Sequence, residues 1–283
     1  MESGIYGGFG WDSGISSLVE DTGLHNKEAS CCQEYAVNED PNNKYRAYME
    51  DTYSCNDNFA GDVTCGLFGV YDGHGGNTVS EYLKERFPDE LKSRIESESP
   101  SDLVTIIEET FEKIDDELKL MDSDTCGSTA CIGIIRMESG HKVLYIANVG
   151  DTRAVLSRNG VEERLSVDHK VADKSEHDRI IKGGGVIMND RVGGTLVLTR
   201  AMGDFALKDS GVICQPTIRK HFIRPFDRFV VIASDGVYDT LSDEDVVGLC
   251  DIEESTDKIS KNIIVKALEK GSQDNLCCCV IKL

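Results

Sequence analysis

Apolar residues recur along the chain in two patterns, one of which predicts strands and the other helices. Short runs rich in Val, Ile, Leu, Tyr and Phe, bounded by Gly, Asp or Asn, predict strands. These runs are Glu34–Asn38, Cys65–Tyr71, Thr129–Met137, Lys142–Val149, Thr152–Arg158, Phe229–Ala233 and Asn275–Lys282. The pairs Gly150-Asp151 and Asn159-Gly160 predict hairpin turns on either side of the fifth strand.

Longer stretches have apolar residues three and four positions apart, which predicts amphipathic helices. They run from Thr78 to about Arg94, onward from Ser101 as an N-cap, onward from Ser242, and from about Thr256 to Lys270. Pro88 is expected to bend or end the first helix, because proline cannot donate a backbone hydrogen bond. Ser242 and Asp245 have the spacing of a capping pair, and Gly271 is expected to end the last helix.

The order of these elements favours an α+β fold with largely antiparallel sheets. Long helices come early and late, and short turns rather than helical crossovers link most strands. Residues 1–27 hold scattered Gly and Ser without a sustained period and are expected to form a loosely ordered leader. No linker rich in Pro, Gly or Ser divides the rest, so residues 28–283 are expected to form a single domain.

The composition supports a buried core and argues against two classes of partner. The 283 residues are 40% hydrophobic, and no apolar run approaches the roughly 18 residues of a membrane span. The net charge of -21 disfavours nucleic acid, which is itself a polyanion. The 11 cysteines are expected to be reduced, which favours the cytosol or the nucleus. Cys277, Cys278 and Cys279 alternate between strand faces and are interpreted as small buried hydrophobes.

Three predicted strands lead into an acidic residue beside a glycine. Asp72-Gly73 follows the second strand, Gly150-Asp151 the fourth and Asp235-Gly236 the sixth. Strand ends can deliver such carboxylates to one place, and oxygen ligands without a thiolate or imidazole cluster suit a hard divalent cation. Further candidates near strand boundaries are Asp239 and Asp274.

The segment from Asp72 to Gly76 lies between a strand and a helix, where a dinucleotide-binding turn also occurs. That turn needs glycine where this chain has Thr78, and Asp72 would place a negative charge beside a pyrophosphate. We favour a tight turn that presents Asp72, the Gly73 carbonyl and His74 together, since glycines let the backbone approach an ion closely.

The segment Tyr45–Asp51 pairs a cation with two carboxylates. In a strand, Arg46, Tyr48 and Glu50 would share one face. Taken alone, Arg46 fits a salt bridge to a carboxylate as well as it fits a guanidinium fork that grips phosphate.

The chain resembles the type 2C metal-dependent serine/threonine protein phosphatases in six motifs that occur in the family's order. The motifs are Arg46–Asp51, Asp72–Gly76, Gly150–Arg153, Thr199–Asp204, Asp235-Gly236 and Asp274-Asn275. The resemblance runs from about residue 34 to the C-terminus. It implies a central sandwich of two antiparallel β-sheets flanked by α-helices, with a metal cleft at one end.

The resemblance also implies a set of metal ligands. Asp72 matches the carboxylate that bridges two metals, and Asp235 and Asp274 would complete the first metal's shell. The Gly73 carbonyl would bind the second metal, and Glu50 would act on it through water.

Other roles follow from the same resemblance. Arg46 would hold the substrate phosphate, and His74 would be the general acid. Asp151 and Asp239 match positions that hold a third, weaker metal in some members of the family.

The implied chemistry is hydrolysis of phosphoserine and phosphothreonine in proteins by a monomeric enzyme that uses Mg²⁺ or Mn²⁺. All proposed ligands are oxygens, which suits these ions. Two cations about 4 Å apart lower the pKa of a water between them towards roughly 7, so hydroxide becomes available. The serine or threonine alkoxide is a poor leaving group, and a histidine can supply its proton near neutral pH.

The stretch from Asp168 to Arg191 resembles the family's flap, a variable subdomain beside the cleft. It departs from the family's pattern at Val171, where proline is usual, and Gly193 stands where asparagine is common. These departures affect the expected flap conformation and substrate selection rather than the metal site.

Two other classes of function fit the sequence less well. A catalytically inactive, phosphatase-like module that binds a regulatory partner would be expected to lose metal carboxylates, whereas all are present here. A two-metal nuclease or phosphodiesterase is disfavoured by the charge of -21 and the lack of a basic stripe.

Overall fold

The computed structural model describes residues 24–26, 29–97, 102–121 and 123–283. The strands are β1 (Leu24–Asn26), β2 (Glu34–Asp40), β3 (Thr52–Asp57), β4 (Gly66–Tyr71), β5 (Gly73–His74), β6 (Gly127–Ser128), β7 (Ala130–Glu138), β8 (His141–Val149), β9 (Arg153–Arg158), β10 (Val161–Arg164), β11 (Ile187–Met188), β12 (Arg191–Val192), β13 (Met202–Gly203), β14 (Thr217–Phe222), β15 (Asp227–Ala233) and β16 (Leu276–Lys282). The helices are α1 (Thr78–Ser97), α2 (Leu103–Leu118), α3 (Lys174–Lys182), α4 (Phe205–Lys208), α5 (Asp235–Tyr238), α6 (Asp243–Gly248) and α7 (Thr256–Glu269). Apart from β1, which pairs with β2, the expected leader lies outside the described residues.

Two antiparallel sheets form the centre of the molecule. One sheet has the strand order β1-β2-β16-β15-β9-β10, and the other has the order β14-β8-β7-β4-β3. An apolar cluster that includes Phe68, Ile146, Ile232 and Cys279 draws on both sheets and fills the space between them. The expected sandwich is therefore confirmed.

Helices cover the outer face of each sheet. Leu83 of α1 and Phe111 of α2 join a core with Leu67 of β4, while Ile263 of α7 joins a core with Val231 of β15. Central strands are thus buried on both faces, which explains why they read as continuous apolar runs. No helix in the described parts of the chain is both long and apolar enough to cross a membrane.

The cysteine prediction is confirmed. Cys277 and Cys279 face the space between the sheets, and Cys278 faces the helical side, each fully buried. All 11 cysteines of the chain are free thiols in the structure.

The turn at Gly150-Asp151 is not the expected hairpin. β8 pairs with β7 and β14, whereas β9 pairs with β15 and β10 in the other sheet, so the chain crosses the sandwich between them. Gly150 has φ 93, and a Cβ there would lie 2.6 Å from Cγ2 of Thr129, so the crossing needs glycine. A short Gly-Asp link can join neighbouring strands of one sheet or strands of two different sheets. The sequence of the link does not distinguish these two connections. The hairpin at Asn159-Gly160 is confirmed by the pairing of β9 with β10.

The observed helix ends agree with those predicted from the sequence except at two places. Pro88 lies inside α1, which continues to Ser97, because burial of the adjoining apolar residues Phe87 and Leu91 offsets the lost hydrogen bond. The N-cap of α2 is Asp102, and Ser101 lies outside the described residues.

The caps of the last two helices agree with the sequence. The reciprocal capping box of Ser242 and Asp245 is confirmed at α6. Gly271, with φ 93, follows the end of α7 as expected.

The segment around Arg46 is a loop, so the expectation that Arg46, Tyr48 and Glu50 share a strand face is wrong. The backbone N–H groups of Tyr45 and Arg46 both donate to the carbonyl of Asn42, which turns the chain before it can extend. Tyr48 is 80% exposed in this loop.

The segment expected to resemble a flap contains α3 and the two-stranded hairpin of β11 and β12. Its residues Val171 and Ile180 pack with Val192, Ala201 and Val212, which follow it in the chain, in a small apolar core separate from those of the sandwich. Val171 therefore packs as an apolar residue where the family pattern has proline. Gly193 has φ 59, a backbone conformation that asparagine also tolerates.

Candidate active site

The registers of the two sheets bring several strand ends to one end of the sandwich. Thr52 pairs with Tyr71 across β3 and β4, and Arg153 pairs with Ala233 across β9 and β15. The residues next to these positions therefore converge without any long loop. They are Asp51, Asp72, Thr152, Ser234 and Asp235.

Three carboxylates meet at this end. Asp72, Asp151 and Asp235 each offer an oxygen within 4.8 Å of the others. Burial raises the pKa of Asp72 well above its ordinary value, and the charges of Asp51 and Asp151 raise it further. Burial likewise raises the pKa of Asp235, with repulsion from Asp72 the next cause. Such a cluster becomes stable when a cation neutralises it.

Asp274 lies on the same cleft but outside this triad. Its carboxylate is paired with the guanidinium of Arg46, whose Nε also donates to the Gln273 carbonyl at 3.2 Å. The structure thus brings Asp151, rather than Asp274, within 4.8 Å of Asp72 and Asp235. In this arrangement Arg46 makes the salt bridge that its sequence context also allowed.

Glu50 and Gly73 fix the loop that carries Asp72. Oε1 of Glu50 accepts from the backbone N–H of Gly76 at 2.6 Å, and the Glu50 carbonyl accepts from the Ser80 hydroxyl at 2.6 Å. A Cβ on Gly73 would lie 2.5 Å from the Glu50 carbonyl oxygen, so only glycine fits there.

Asp51 is a site residue to which the sequence assigned no role. It is 3% exposed, and burial raises its pKa well above the ordinary value. Its Oδ2 is buried and has no hydrogen-bond partner in the structure. A buried, unpaired carboxylate oxygen beside a carboxylate triad is costly unless a cation lies nearby.

Asp239 is separated from the triad by a lysine. Nζ of Lys170 lies 2.9 Å from Asp151 and 3.7 Å from Asp239, and the Asp239 side chain is 65% exposed. The two carboxylates that the family resemblance assigns to a third metal thus both lie beside the ammonium group of Lys170.

His74 lies on the cleft wall with its ring bound to another acid. Its Nε2 is 2.7 Å from Oδ2 of Asp204, and its side chain is 28% exposed. Sequence reasoning placed Asp204 in a family motif but gave it no role, because 130 residues separate the pair.

The chain just after the flap supplies an apolar wall to the cleft. The cleft is lined by Arg46, Glu50, Asp72, Gly73, His74, Gly75, Thr129, Asp151, Leu196, Val197, Leu198, Asp235 and Asp274. Of the residues expected in the site, only Asp239 is missing from this lining. The three apolar residues were not anticipated, since nothing in their sequence distinguishes them from a core strand.

Asn275 holds the Arg46 loop against the strand that Asp274 precedes. Its Nδ2 donates to the carbonyls of Pro41 at 2.8 Å and Tyr48 at 3.0 Å, and its Oδ1 accepts from the N–H of Glu50 at 2.9 Å. This explains physically why an asparagine follows Asp274.

Replacing Asn275 with alanine is therefore expected to lower the free energy of unfolding by about 2–4 kcal/mol, because three partly buried backbone groups lose their partners. Urea unfolding of the metal-free protein measures the change. Asn56→Ala, at an exposed position of β3, is the control and should have little effect. Equal stability of the two variants would contradict this account of Asn275.

Comparisons with known proteins agree with the fold. The sequence pattern of the family described as Protein phosphatase 2C matches residues 35–276. The chain is 36% identical over 249 residues to Protein phosphatase 2C homolog 1 of Schizosaccharomyces pombe, covering 87% of this chain and 72% of that protein. It is 34% identical over 260 residues to Protein phosphatase 2C homolog 1 of Saccharomyces cerevisiae, covering 87% of this chain and 92% of that protein.

Solved structures show the same fold at lower identity. A serine-threonine phosphatase 2C from Toxoplasma gondii superposes with a TM-score of 0.74 at 20% identity, over 92% of this chain and 98% of that one. A sex-determining protein of C. elegans gives a TM-score of 0.77 at 24% identity, over 87% of this chain and 64% of that one. The family's pattern spans nearly all of the two-sheet sandwich and its cleft, and the chain belongs to the protein phosphatase 2C family.

Proposed function

We propose that this protein phosphatase hydrolyses phosphoserine and phosphothreonine in proteins, with Mg²⁺ or Mn²⁺ bound by the strand-end carboxylates. The observation that carries the proposal is the approach of Asp72, Asp151 and Asp235 to within 4.8 Å of one another. The unpartnered Oδ2 of buried Asp51 supports it. An all-oxygen donor set fits these ions better than zinc.

The residues that would hold two metals are Asp72, Asp235, Asp274, the Gly73 carbonyl and, through water, Glu50. Asp151 and Asp239 would hold a third, weaker one if Lys170 moved aside. When bound, the ions would supply an activated water and offset negative charge on the phosphoryl group.

The chain's own side chains would bind the phosphate and complete the reaction. Arg46 is 43% exposed at the cleft and would exchange Asp274 for a phosphate oxygen when substrate enters. His74 would donate the proton that the leaving serine or threonine oxygen requires. The Leu196–Leu198 wall would contact residues that flank the phosphorylated one.

We further propose that the protein acts as a monomer in the cytosol or nucleus. The 11 free thiols support a reducing compartment.

The purified protein is expected to release phosphate from a phosphothreonine peptide with Mn²⁺ and to lose that activity in a chelator. Excess Mn²⁺ added afterwards should restore the activity, since the protein stays folded and its strand ends keep the carboxylates in place. Phosphate release and calorimetric Mn²⁺ binding measure the two effects. Full activity in the chelator, or preference for a phosphodiester over the peptide, would contradict the proposal.

A further inference from the structure

His74 and Asp204 form a hydrogen-bonded pair in which Asp204 has no role in the proposed chemistry. Nε2 of His74 lies 2.7 Å from Oδ2 of Asp204. The Asp204 side chain is 4% exposed, whereas that of His74 is 28% exposed, so the acid lies behind the ring as seen from the cleft.

A separate small sheet brings the pair together. β5, which contains His74, pairs with β6, and β6 pairs in turn with β13, the strand immediately before Asp204. Gly127 is the common partner, since it is opposite His74 on one side and Gly203 on the other. The pairing is thus fixed by backbone hydrogen bonds rather than by side chains alone.

The backbone at Asp204 is held in a conformation that non-glycine residues rarely adopt. Its φ is 52, and its N–H donates to the Cys126 carbonyl at 3.1 Å. The preceding residue, Gly203, donates its N–H to Oδ1 of buried Asp115 at 2.8 Å. A strained, buried acid retained by several contacts is a common sign of a functional position.

Gly127 leaves the space in which the pair sits. A Cβ on Gly127 would lie 2.6 Å from Nε2 of His74 and closer still to Oδ2 of Asp204. Any side chain there would push the ring and the carboxylate apart.

We propose that Asp204 is a positioning residue for His74: its carboxylate accepts a hydrogen bond from the Nε2–H and so fixes the plane and tautomer of the ring. This inference rests on the proposed function. The Nε2–H stays on the ring and points at Asp204, and Nδ1 is then the nitrogen that serves the leaving oxygen. Similar acid–histidine pairs orient catalytic imidazoles on unrelated folds.

The proton balance of the step is simple. The oxygen of water bonds to phosphorus and gives up one proton to solvent, and the bond from phosphorus to the serine or threonine oxygen breaks, with its electron pair going to that oxygen. The leaving oxygen takes the proton of Nδ1, and His74 later regains a proton from solvent. A ring that rotates freely would deliver this proton less often.

Asp204→Asn tests the proposal because asparagine has the same shape and tolerates the left-handed backbone. For a phosphothreonine peptide, kcat is expected to fall about 100-fold with KM nearly unchanged. For p-nitrophenyl phosphate, whose leaving anion needs no proton, kcat should change by less than about threefold. A merely structural role would lower both rates together, and that result would overturn the proposal.

A double-mutant cycle sharpens the test. In a His74→Gln background, Asp204→Asn is expected to cause no further loss on the peptide, because the group it positions is gone. An additional loss of tenfold or about that size would overturn the proposal. Gly127→Ala should reproduce the selective loss on the peptide, and thermal unfolding verifies that each variant is folded.

The outcomes also separate this inference from the proposed function. If the wild-type protein fails to hydrolyse the peptide with Mn²⁺, the proposed function is wrong. If the wild-type protein is active and Asp204→Asn keeps its full kcat on the peptide, the function stands and the role of Asp204 is refuted.

Discussion

Replacing Asp72 with asparagine is expected to lower hydrolysis of a phosphothreonine peptide by about a thousandfold or more and to abolish tight Mn²⁺ binding. Asp72 is the member of the triad that follows β4 directly, and Asp151 and Asp235 lie within 4.8 Å of it. Asparagine keeps the shape but removes the charge, and loss of several kcal/mol of charge stabilisation is worth about that factor in rate. Calorimetry with Mn²⁺ and phosphate release measure the two losses.

The same substitution is expected to make the metal-free protein more stable at neutral pH. Burial, followed by repulsion from Asp51 and Asp151, raises the pKa of Asp72 in the folded state above its ordinary 3.8. The folded protein therefore binds protons that the unfolded chain releases, and its free energy of unfolding falls as pH rises above about 4. Asp72→Asn removes this loss, so its Tm should be higher by several degrees, since 1 kcal/mol corresponds to about 2–4 °C in a large domain.

Asp89→Asn is the matched control for both measurements. It makes the same change of charge at an exposed position of α1, away from the strand ends. It should leave Mn²⁺ binding, activity and Tm nearly unchanged. If Asp72→Asn bound Mn²⁺ as tightly as the wild type, or if it were less stable than the wild type without metal, the carboxylate triad would not be the metal site.

The strands that the sequence predicts best are those buried on both faces. β4 and β16 are continuous apolar runs because one face packs between the sheets and the other under helices. Their ends are marked by the polar pairs Asp72-Gly73 and Asp274-Asn275, where the apolar runs stop. Local composition is enough to locate such strands.

The strands that the sequence misses lie mostly at sheet edges. β3 and β14 are edge strands, and their exposed residues are largely polar or charged. Charged edge strands avoid pairing with other chains, which removes the apolar signal that identifies a strand. The crossing at Gly150-Asp151 is missed for a different reason, since sheet membership depends on partners distant in sequence.

The arrangement of the site can be predicted only in part from the sequence, because it too depends on contacts between distant segments. Six motifs name Asp72, Asp151, Asp235 and their neighbours, but not which carboxylates approach one another. The pairing of Arg46 with Asp274 and the proximity of Asp151 to Asp72 depend on loop conformation. The association of His74 with Asp204 requires a three-stranded sheet that no local pattern predicts.

Glu176 anchors the flap beside the cleft through a buried ionic network. Its side chain is 4% exposed and accepts hydrogen bonds from Arg200 at 2.6 and 3.1 Å, from Arg179 at 2.8 Å and from the Thr199 hydroxyl at 2.8 Å. The Thr199 N–H in turn donates to the His169 carbonyl at 2.9 Å, one residue from Lys170. The network thus connects α3 to the segment that carries the apolar cleft wall.

Replacing Glu176 with alanine is expected to open the flap without unfolding the sandwich. Removing one partner of a buried ion pair costs about 3–5 kcal/mol, because Arg200 and Arg179 are left without their counter-charge. The flap packs in a small apolar core separate from those of the sandwich, so this cost falls on local opening rather than on the whole domain. Amide hydrogen exchange in α3 should therefore accelerate by about a hundredfold or more, and KM for a phosphopeptide should rise.

The pH dependence of flap opening shows whether the ionised form of Glu176 stabilises the closed flap. Burial alone would raise the pKa of Glu176, but hydrogen bonds from Arg200, Arg179 and Thr199 prevail and lower it to about 2. Because the folded pKa is depressed, the stabilisation is present above the ordinary value of 4.5 and is lost as pH falls towards 2. Exchange in α3 of the wild type should approach that of Glu176→Ala at acid pH, after correction for the intrinsic exchange rate.

Glu176→Gln keeps an acceptor oxygen, so its exchange rate in α3 should lie between those of the wild type and Glu176→Ala at neutral pH. Equal protection of α3 in all three proteins would show that packing alone, rather than the charge of Glu176, holds the flap closed.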